Sequence, residues 1–128
     1  MLLQAVWRAQ EERGASELAA ETLPAFRENR ATFLLMAQEG SVNVEHGLIS
    51  LTPVGQKRAD ELIRCHRLAE RFFYETFGMD EDRLHENALR IEPLWTGDVV
   101  TKICTFLNHP RSCPHGDPIP RGECCPAA

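Results

Sequence analysis

His66 and Glu70 lie four residues apart in the run Arg64-Cys65-His66-Arg67-Leu68-Ala69-Glu70-Arg71-Phe72. The run is strongly helical, so both side chains leave one helix face about a turn apart. An imidazole and a carboxylate at that spacing can grip one metal ion, although a solvated His–Glu pair is the commoner outcome of the same spacing. His85, Glu86 and Glu92 follow in the next helical segment, and antiparallel helices would let them converge with His66 and Glu70 on one transition-metal site. A second constellation is Cys104, Cys113, Cys124 and Cys125, with His109 and His115 among them. Thiolates are natural ligands for zinc or an iron–sulfur cluster. The spacing lacks the paired C-x2-C knuckles of a zinc ribbon, and vicinal cysteines seldom give both sulfurs to one small ion. Three readings of these thiols stay open: a metal or iron–sulfur site, redox-active thiols, and plain cysteines.

The elements that would position these groups can be read along the chain. Leu2, Leu3, Val6 and Trp7 repeat at helical spacing up to Gly14. Ser16 is expected to cap a short second helix through Leu18, Ala19 and Thr22. Leu23-Pro24 breaks the chain, and a third helix is expected from about Phe26 to Gln38, ended by Gly40. Val42, Val44, Ile49 and Leu51 alternate with polar residues around Glu45-His46-Gly47, the pattern of a short β-hairpin. Three helices and then a hairpin is the winged-helix order, in which the third helix enters a DNA major groove. Thr52-Pro53 starts a long helix to about Phe77, with Gly78 closing it. Asp80 and Thr96 are read as caps of two further helices, roughly Glu81 to Glu92 and onward from Thr96. After His109-Pro110 the chain is rich in Pro, Gly and Cys and reads as an irregular tail.

Composition narrows the classes. The 128 residues carry 14 Lys plus Arg against 19 Asp plus Glu, which disfavours a general polyanion binder but not a reader with a few well-placed arginines. An odd total of five cysteines disfavours a disulfide framework. No run approaches a membrane span, and no secretion signal is evident, so a cytoplasmic protein is expected. There is no nucleophile–base pair at recognisable spacing and no phosphate-cradling glycine loop, so neither catalysis nor a small organic substrate is expected.

These residues resemble the diphtheria-toxin-repressor family of metal-dependent transcription regulators, with its iron- and manganese-sensing branches. Leu48-Ile49-Ser50-Leu51-Thr52-Pro53-Val54-Gly55 is similar to the family's wing-to-helix junction, and His66-Arg67-Leu68-Ala69-Glu70-Arg71-Phe72 to its metal-binding helix. Leu84-His85-Glu86 falls where the next ligand-bearing helix begins. Asn108-His109-Pro110 and Cys113-Pro114-His115-Gly116-Asp117-Pro118-Ile119-Pro120 are similar to the end of the dimerisation domain. The likeness is specific over residues 48–120 and weak before residue 40.

The resemblance implies a mainly α protein, with an N-terminal winged helix-turn-helix over residues 1–58 and a helical dimerisation and metal-binding domain over 59–128. It implies a homodimer that binds Fe2+ or Mn2+, with Zn2+ as a rival, and docks on a palindromic double-stranded DNA operator. His66, Glu70 and His85 match the ligands of one family metal site, with Glu86 beside them. At the family's other site the matching positions are Leu89, Glu92 and Pro93, so only Glu92 can ligate and that site is expected to be lost. Met1 falls near an N-terminal ligand position and is a poor candidate for it. Arg27, Asn29, Arg30 and Thr32 are the expected phosphate and base-edge contacts, with Glu28 opposing. Residues 1–58 hold six Lys or Arg against seven Glu, a net −1 that is low for a DNA-binding head. The alternative is a degenerate paralogue that dimerises or holds metal without reading DNA. In the regulator itself, a cysteine-ligated ion or iron–sulfur cluster could carry the sensing in place of the lost site.

Overall fold

A computed structural model describes residues 2–126; the Met1 ligand position lies outside them. The chain divides into two compact units, Met1–Asp60 and Glu61–Ala128.

In the first unit the order is α1 (Leu2–Arg13), β1 (Leu18–Ala19), α2 (Pro24–Glu28), α3 (Arg30–Glu39), β2 (Val42–Glu45) and β3 (Leu48–Leu51). The start of α4 (Pro53–Phe77) completes it. The sheet runs β1-β3-β2, antiparallel throughout, with Leu18 opposite Ile49 and Val44 opposite Ile49 on the other side. His46 and Gly47 form the two-residue turn of the wing, both with positive φ (52° and 75°), which matches the twist of the flanking strands. Val6, Leu18, Phe26, Phe33, Val42 and Ile49 make the core, with the Phe26 and Phe33 rings 5.5 Å apart.

Two expectations for this unit are corrected. The segment read as a second helix capped by Ser16 is β1 followed by one 3-10 turn, Ala20–Thr22. β3 takes its backbone hydrogen bonds, and the Ala20 amide donates to the Gly47 carbonyl at 2.9 Å. Leu18 thereby reaches the core as a strand residue. The helix expected over Phe26–Gln38 is also two helices, broken at Asn29 (φ −137°, ψ 39°). The end of α3 follows the sequence reading. Gly40 adopts φ 87°, its amide donates to the Ala37 carbonyl, and the Ser41 amide reaches back to that of Met36 at 3.0 Å.

The junction into α4 is tight. The Thr52 hydroxyl donates to the Gly40 carbonyl at 2.6 Å and accepts the Gly55 amide at 3.0 Å. The Trp7 indole donates to Asp60 at 2.7 Å, tying α1 to α4.

In the second unit, α4 is followed by α5 (Glu81–Ile91), a 3-10 turn (Glu92–Leu94) and α6 (Gly97–Phe106). Thr96 caps α6, accepting the Val99 amide at 3.5 Å. Asp80 occupies the cap position of α5, but its side chain makes no capping bond, contrary to expectation. The tail is irregular in secondary structure yet ordered. The Cys113 amide donates to the Asp117 carbonyl at 2.8 Å, the Ile119 amide to that of Arg111 at 2.9 Å, and Cys113 and Ile119 are buried. Cys65, Leu68, Val100, Cys104 and Ile119 form a core cluster, flanked by Trp95, Leu107, Cys124 and Cys125. Among the described residues, no helix is long and apolar enough to cross a membrane.

Gly55 lies so close to the Ser41 backbone that a Cβ would run into its carbonyl group. Backbone cannot yield as a flexible side chain can. We expect Gly55→Ala to destabilise the protein by about 1–3 kcal/mol, read as a lower urea midpoint at unchanged slope. An unaltered midpoint would mean that the junction relaxes freely.

Candidate metal centre

Residues 65–70 of α4 are all buried, so three polar side chains there must find partners inside the protein. His66 and Glu70 are 2% and 4% exposed. The Nδ1 of His66 bonds the Glu92 carboxylate at the start of the 3-10 turn. Its Nε2 points the other way, 3.5 Å from Glu70 Oε1 and 3.1 Å from Nδ1 of His85 on α5. His66, Glu70 and His85 bring donor atoms within 4.8 Å of one another, and His85 opens the set to solvent.

Glu92, expected as a ligand, instead holds His66 from behind. An ionised carboxylate only accepts, so a neutral His66 imidazole would donate its Nδ1 proton to Glu92 and turn the Nε2 lone pair toward the other groups. That lone pair faces another carboxylate and another imidazole. Two imidazole nitrogens and a carboxylate oxygen converging within 4.8 Å are a donor set that fits a divalent cation, and a carboxylate orienting a ligating histidine is the usual arrangement behind such a site. Glu86 does not join the set: it is exposed and accepts from Arg90 at 2.7 Å, one turn along α5. Leu89 is partly exposed and Pro93 lies in the 3-10 turn. Neither offers a metal donor.

The cysteines separate into two places. Cys113 lies with His115 and Glu70, again with all donor atoms within 4.8 Å. His115 Nδ1 is 3.6 Å from Glu70 Oε2, and Cys113 Sγ is 4.0 Å from His115 Nδ1. Glu70 thus turns one oxygen to His66 and the other to His115. Cys104, Cys124 and Cys125 gather instead with His109. The four-cysteine grouping drawn from the sequence is therefore replaced by a three-cysteine, one-histidine group and a separate Cys113. Chain order could not show this, because the turn from Arg111 to Ile119 carries Cys113 back to α4, where Arg67 donates to the Pro118 carbonyl at 2.5 Å. The place of His109 and His115 among the cysteines is the signal in the sequence that marks both as candidate donors.

In the first unit, Arg27, Arg30 and Thr32 are exposed and Asn29 is half-buried. The Asn29 amide donates to the Ala25 carbonyl at 2.9 Å. Arg30 pairs with Glu21 through both guanidinium nitrogens and stacks over Phe26, 5.4 Å from the ring centre.

A winged helix followed by a helical unit with a buried histidine–carboxylate set is the architecture of metal-dependent repressors. The family described as iron-dependent repressor, metal binding and dimerisation domain, matches residues 52–121, more than half of the chain. The chain belongs to this family. It is 36% identical over 72 residues to the iron-dependent repressor IdeR of Mycobacterium leprae, covering 56% of this chain and 31% of that protein. It is 29% identical over 125 residues to the diphtheria toxin repressor of Corynebacterium diphtheriae, covering 94% and 55%. A solved manganese-dependent transcriptional repressor in complex with manganese is 29% identical, with a TM-score of 0.76, covering 94% of this chain and 57% of that one. The chain thus matches between about a third and just over half of the length of these relatives.

The thiols differ in ionisation. Burial, with Glu92 nearby, pushes Cys65 up to about 11, and burial does the same for Cys104. Burial also opposes ionisation of Cys125. The Gly122 amide, Cys104, His109 and the Arg121 charge outweigh that and bring it down to about 6. A thiol lowered to about 6 is largely thiolate at pH 7, and the thiolate is the reactive form. In metal-free protein at pH 7, iodoacetamide should label Cys125 first and Cys65 and Cys104 last, by peptide mass spectrometry. Equal labelling rates would contradict this order.

Proposed function

We propose that the chain is a metal-responsive transcriptional repressor that acts as a homodimer on a double-stranded DNA operator. His66, Glu70 and His85 would hold Fe2+ or Mn2+. The observation that carries this reading is the convergence of His66 Nε2, Glu70 and His85, with Glu92 on the other ring nitrogen of His66. Two imidazoles and a carboxylate suit borderline divalent ions better than thiophilic ones. The names of the iron- and manganese-dependent relatives favour the same pair of metals over Zn2+. A bound ion would supply positive charge where three acceptors meet, linking α4 to α5. Cys113 and His115 lie on the other oxygen of Glu70 and could add donors from the tail. Glu92 fixes the tautomer of His66, and His85 forms the solvent-facing side by which an ion enters.

The homodimer is supported by an exposed apolar set in the second unit. Phe77, Leu94 and Phe106 are 64%, 72% and 69% exposed, and the Phe72 ring packs against Phe77, Trp95 and Phe106. Exposed apolar groups collected in one unit mark an association surface. On the DNA side, α3 would enter the major groove with Thr32, while Arg27 and Arg30 meet phosphates. Asn29, already bonded to its own backbone, would position the start of α3.

A second reading is a dimer that holds metal without reading DNA. The Arg30–Glu21 pair and the acidic balance of residues 1–58 favour it. Fluorescence anisotropy against genomic fragments, with and without Mn2+ or Fe2+, separates the two. Repression predicts metal-dependent binding that His66→Ala abolishes. Arg30→Ala should lower the salt slope of binding by about one phosphate contact. Metal uptake with no DNA binding at any salt would select the second reading.

Removing the orienting carboxylate tests the metal set itself. Glu92→Gln should weaken Mn2+ binding by about 10- to 100-fold, measured by isothermal titration. If His66 were instead an imidazolium bridging two carboxylates, the unaltered protein would take up no Mn2+ at this place, and His66→Ala would leave the titration unchanged.

A further inference from the structure

The group of Cys104, His109, Cys124 and Cys125 is separate from the His66 set, and the function proposed above does not use it. It is built from three segments. Cys104 lies on the last turns of α6 and is 1% exposed. His109 follows the helix end, where Asn108 and His109 both adopt positive φ (62° and 52°), a conformation that L side chains rarely take. The His109 amide donates to the Cys104 carbonyl at 2.8 Å. This tight reversal brings the imidazole back to the thiol: Nδ1 is 3.4 Å from Cys104 Sγ. Backbone held in such a state commonly accompanies a functional constraint. Cys124 and Cys125 come from the tail, with Cys125 Sγ 3.7 Å from Cys104 Sγ.

These separations have a chemical meaning. Zinc–sulfur bonds of about 2.3 Å and zinc–nitrogen bonds of about 2.0–2.1 Å in a tetrahedron give sulfur–sulfur edges of about 3.8 Å and sulfur–nitrogen edges of about 3.5 Å. The 3.7 Å and 3.4 Å separations match those edges. All four donor atoms lie within 4.8 Å of one another, close enough for one ion to draw the remaining pairs onto such edges. An iron–sulfur cluster places its ligands around a core of several atoms and needs a wider ring.

The surroundings suit thiolates. The Arg64 guanidinium donates to Cys124 Sγ at 3.0 Å, and the Gly122 amide to Cys125 Sγ at 3.4 Å. The Arg64 guanidinium lies directly against the backbone at Gly122, so its charge sits beside the tail. Three thiolates and a neutral imidazole around a divalent ion leave one net negative charge, which Arg64 offsets.

We propose that Cys104, His109, Cys124 and Cys125 form a tetrahedral Cys3His site for one zinc ion, which pins the tail at residues 122–125 to the end of α6. It binds independently of the Fe2+ or Mn2+ set at His66. Its four ligands complete the shell, so it is structural.

The test uses the full chain carrying His66→Ala and His85→Ala, which removes the other set, titrated with Co2+ and then Zn2+ without oxygen. The expected result is one Co2+ per chain, with a near-ultraviolet thiolate-to-cobalt charge-transfer band and the strong visible bands of tetrahedral cobalt, both erased by one equivalent of Zn2+. His109→Ala and Cys124→Ser, at half-buried positions, should each weaken Co2+ binding at least tenfold. Cys113→Ser should not weaken it. Metal loading should also protect the chain after Pro120 from proteolysis. Any of four results would overturn the proposal: no thiolate band, a band lost on Cys113→Ser, acid-labile sulfide accompanying iron in the purified protein, or a Cys104–Cys125 disulfide in place of metal.

Discussion

The second unit depends on one constraint: the stretch of α4 from Cys65 to Glu70 is buried on every side. A helix buried all round normally carries only apolar residues there, whereas this one carries His66, Arg67 and Glu70. Burying an ionisable group without a partner costs several kcal/mol, a large part of the total stability of a small protein. Each group must therefore be answered from a different direction. Glu92 and His85 answer His66, the Pro118 carbonyl answers Arg67, and His66 and His115 lie against the two oxygens of Glu70. The positions of α5, the 3-10 turn and the tail around α4 are thus tied to polar demand as much as to apolar packing. A cation among these acceptors would meet the part of that demand that protein groups leave.

The same constraint explains why the tail is ordered without helix or strand. Its Pro and Gly residues cannot sustain either, yet its backbone closes on itself through the Cys113–Asp117 and Ile119–Arg111 bonds. Ile119 then enters the core with Leu68 and Val100. Such a tail has little area with which to hold itself down, and polar bonds to α4 carry more of the load than they would in a helix. Cys113 on the Glu70 side and Cys124 with Cys125 on the Arg64 side are where such bonds are available.

Much of this arrangement is legible from residue order. Helical spacing, Thr52-Pro53 and Gly78 mark α4 to its ends, and Glu45-His46-Gly47 marks the wing, because in each case the signal is local backbone chemistry. Leu18 to Thr22 misleads because its helical pattern is overridden by pairing with β3, a partner some thirty residues away in sequence. Asn29 breaks a helix that composition alone would continue. In the buried histidine–carboxylate set, the meeting of His66, Glu70 and His85 is readable from i, i+4 spacing and from the family likeness. Glu92 is readable as a participant but not as the group behind His66, since that role depends on which ring nitrogen it meets. The sorting of the cysteines is not readable, because a five-residue turn at Cys113–Asp117 reverses the chain between them.

The first unit poses the opposite problem, since the polar groups proposed to meet DNA are answered too locally. Arg30 is bound to Glu21 and stacked on Phe26, and Asn29 is bonded within its own turn. An exposed ion pair contributes little stability and is screened by salt, so a phosphate carrying full negative charge can displace Glu21 at small cost. In the proposed complex such an exchange would leave the Glu21 carboxylate near the DNA backbone. That residual repulsion would keep affinity low unless two heads bound together, because doubling the phosphate contacts within one rigid complex raises binding far more than either head achieves alone. A winged helix of net −1 charge is therefore consistent with the proposed DNA reader only if the second unit dimerises, and in this way the exposed Phe77, Leu94 and Phe106 bear on what α3 could do.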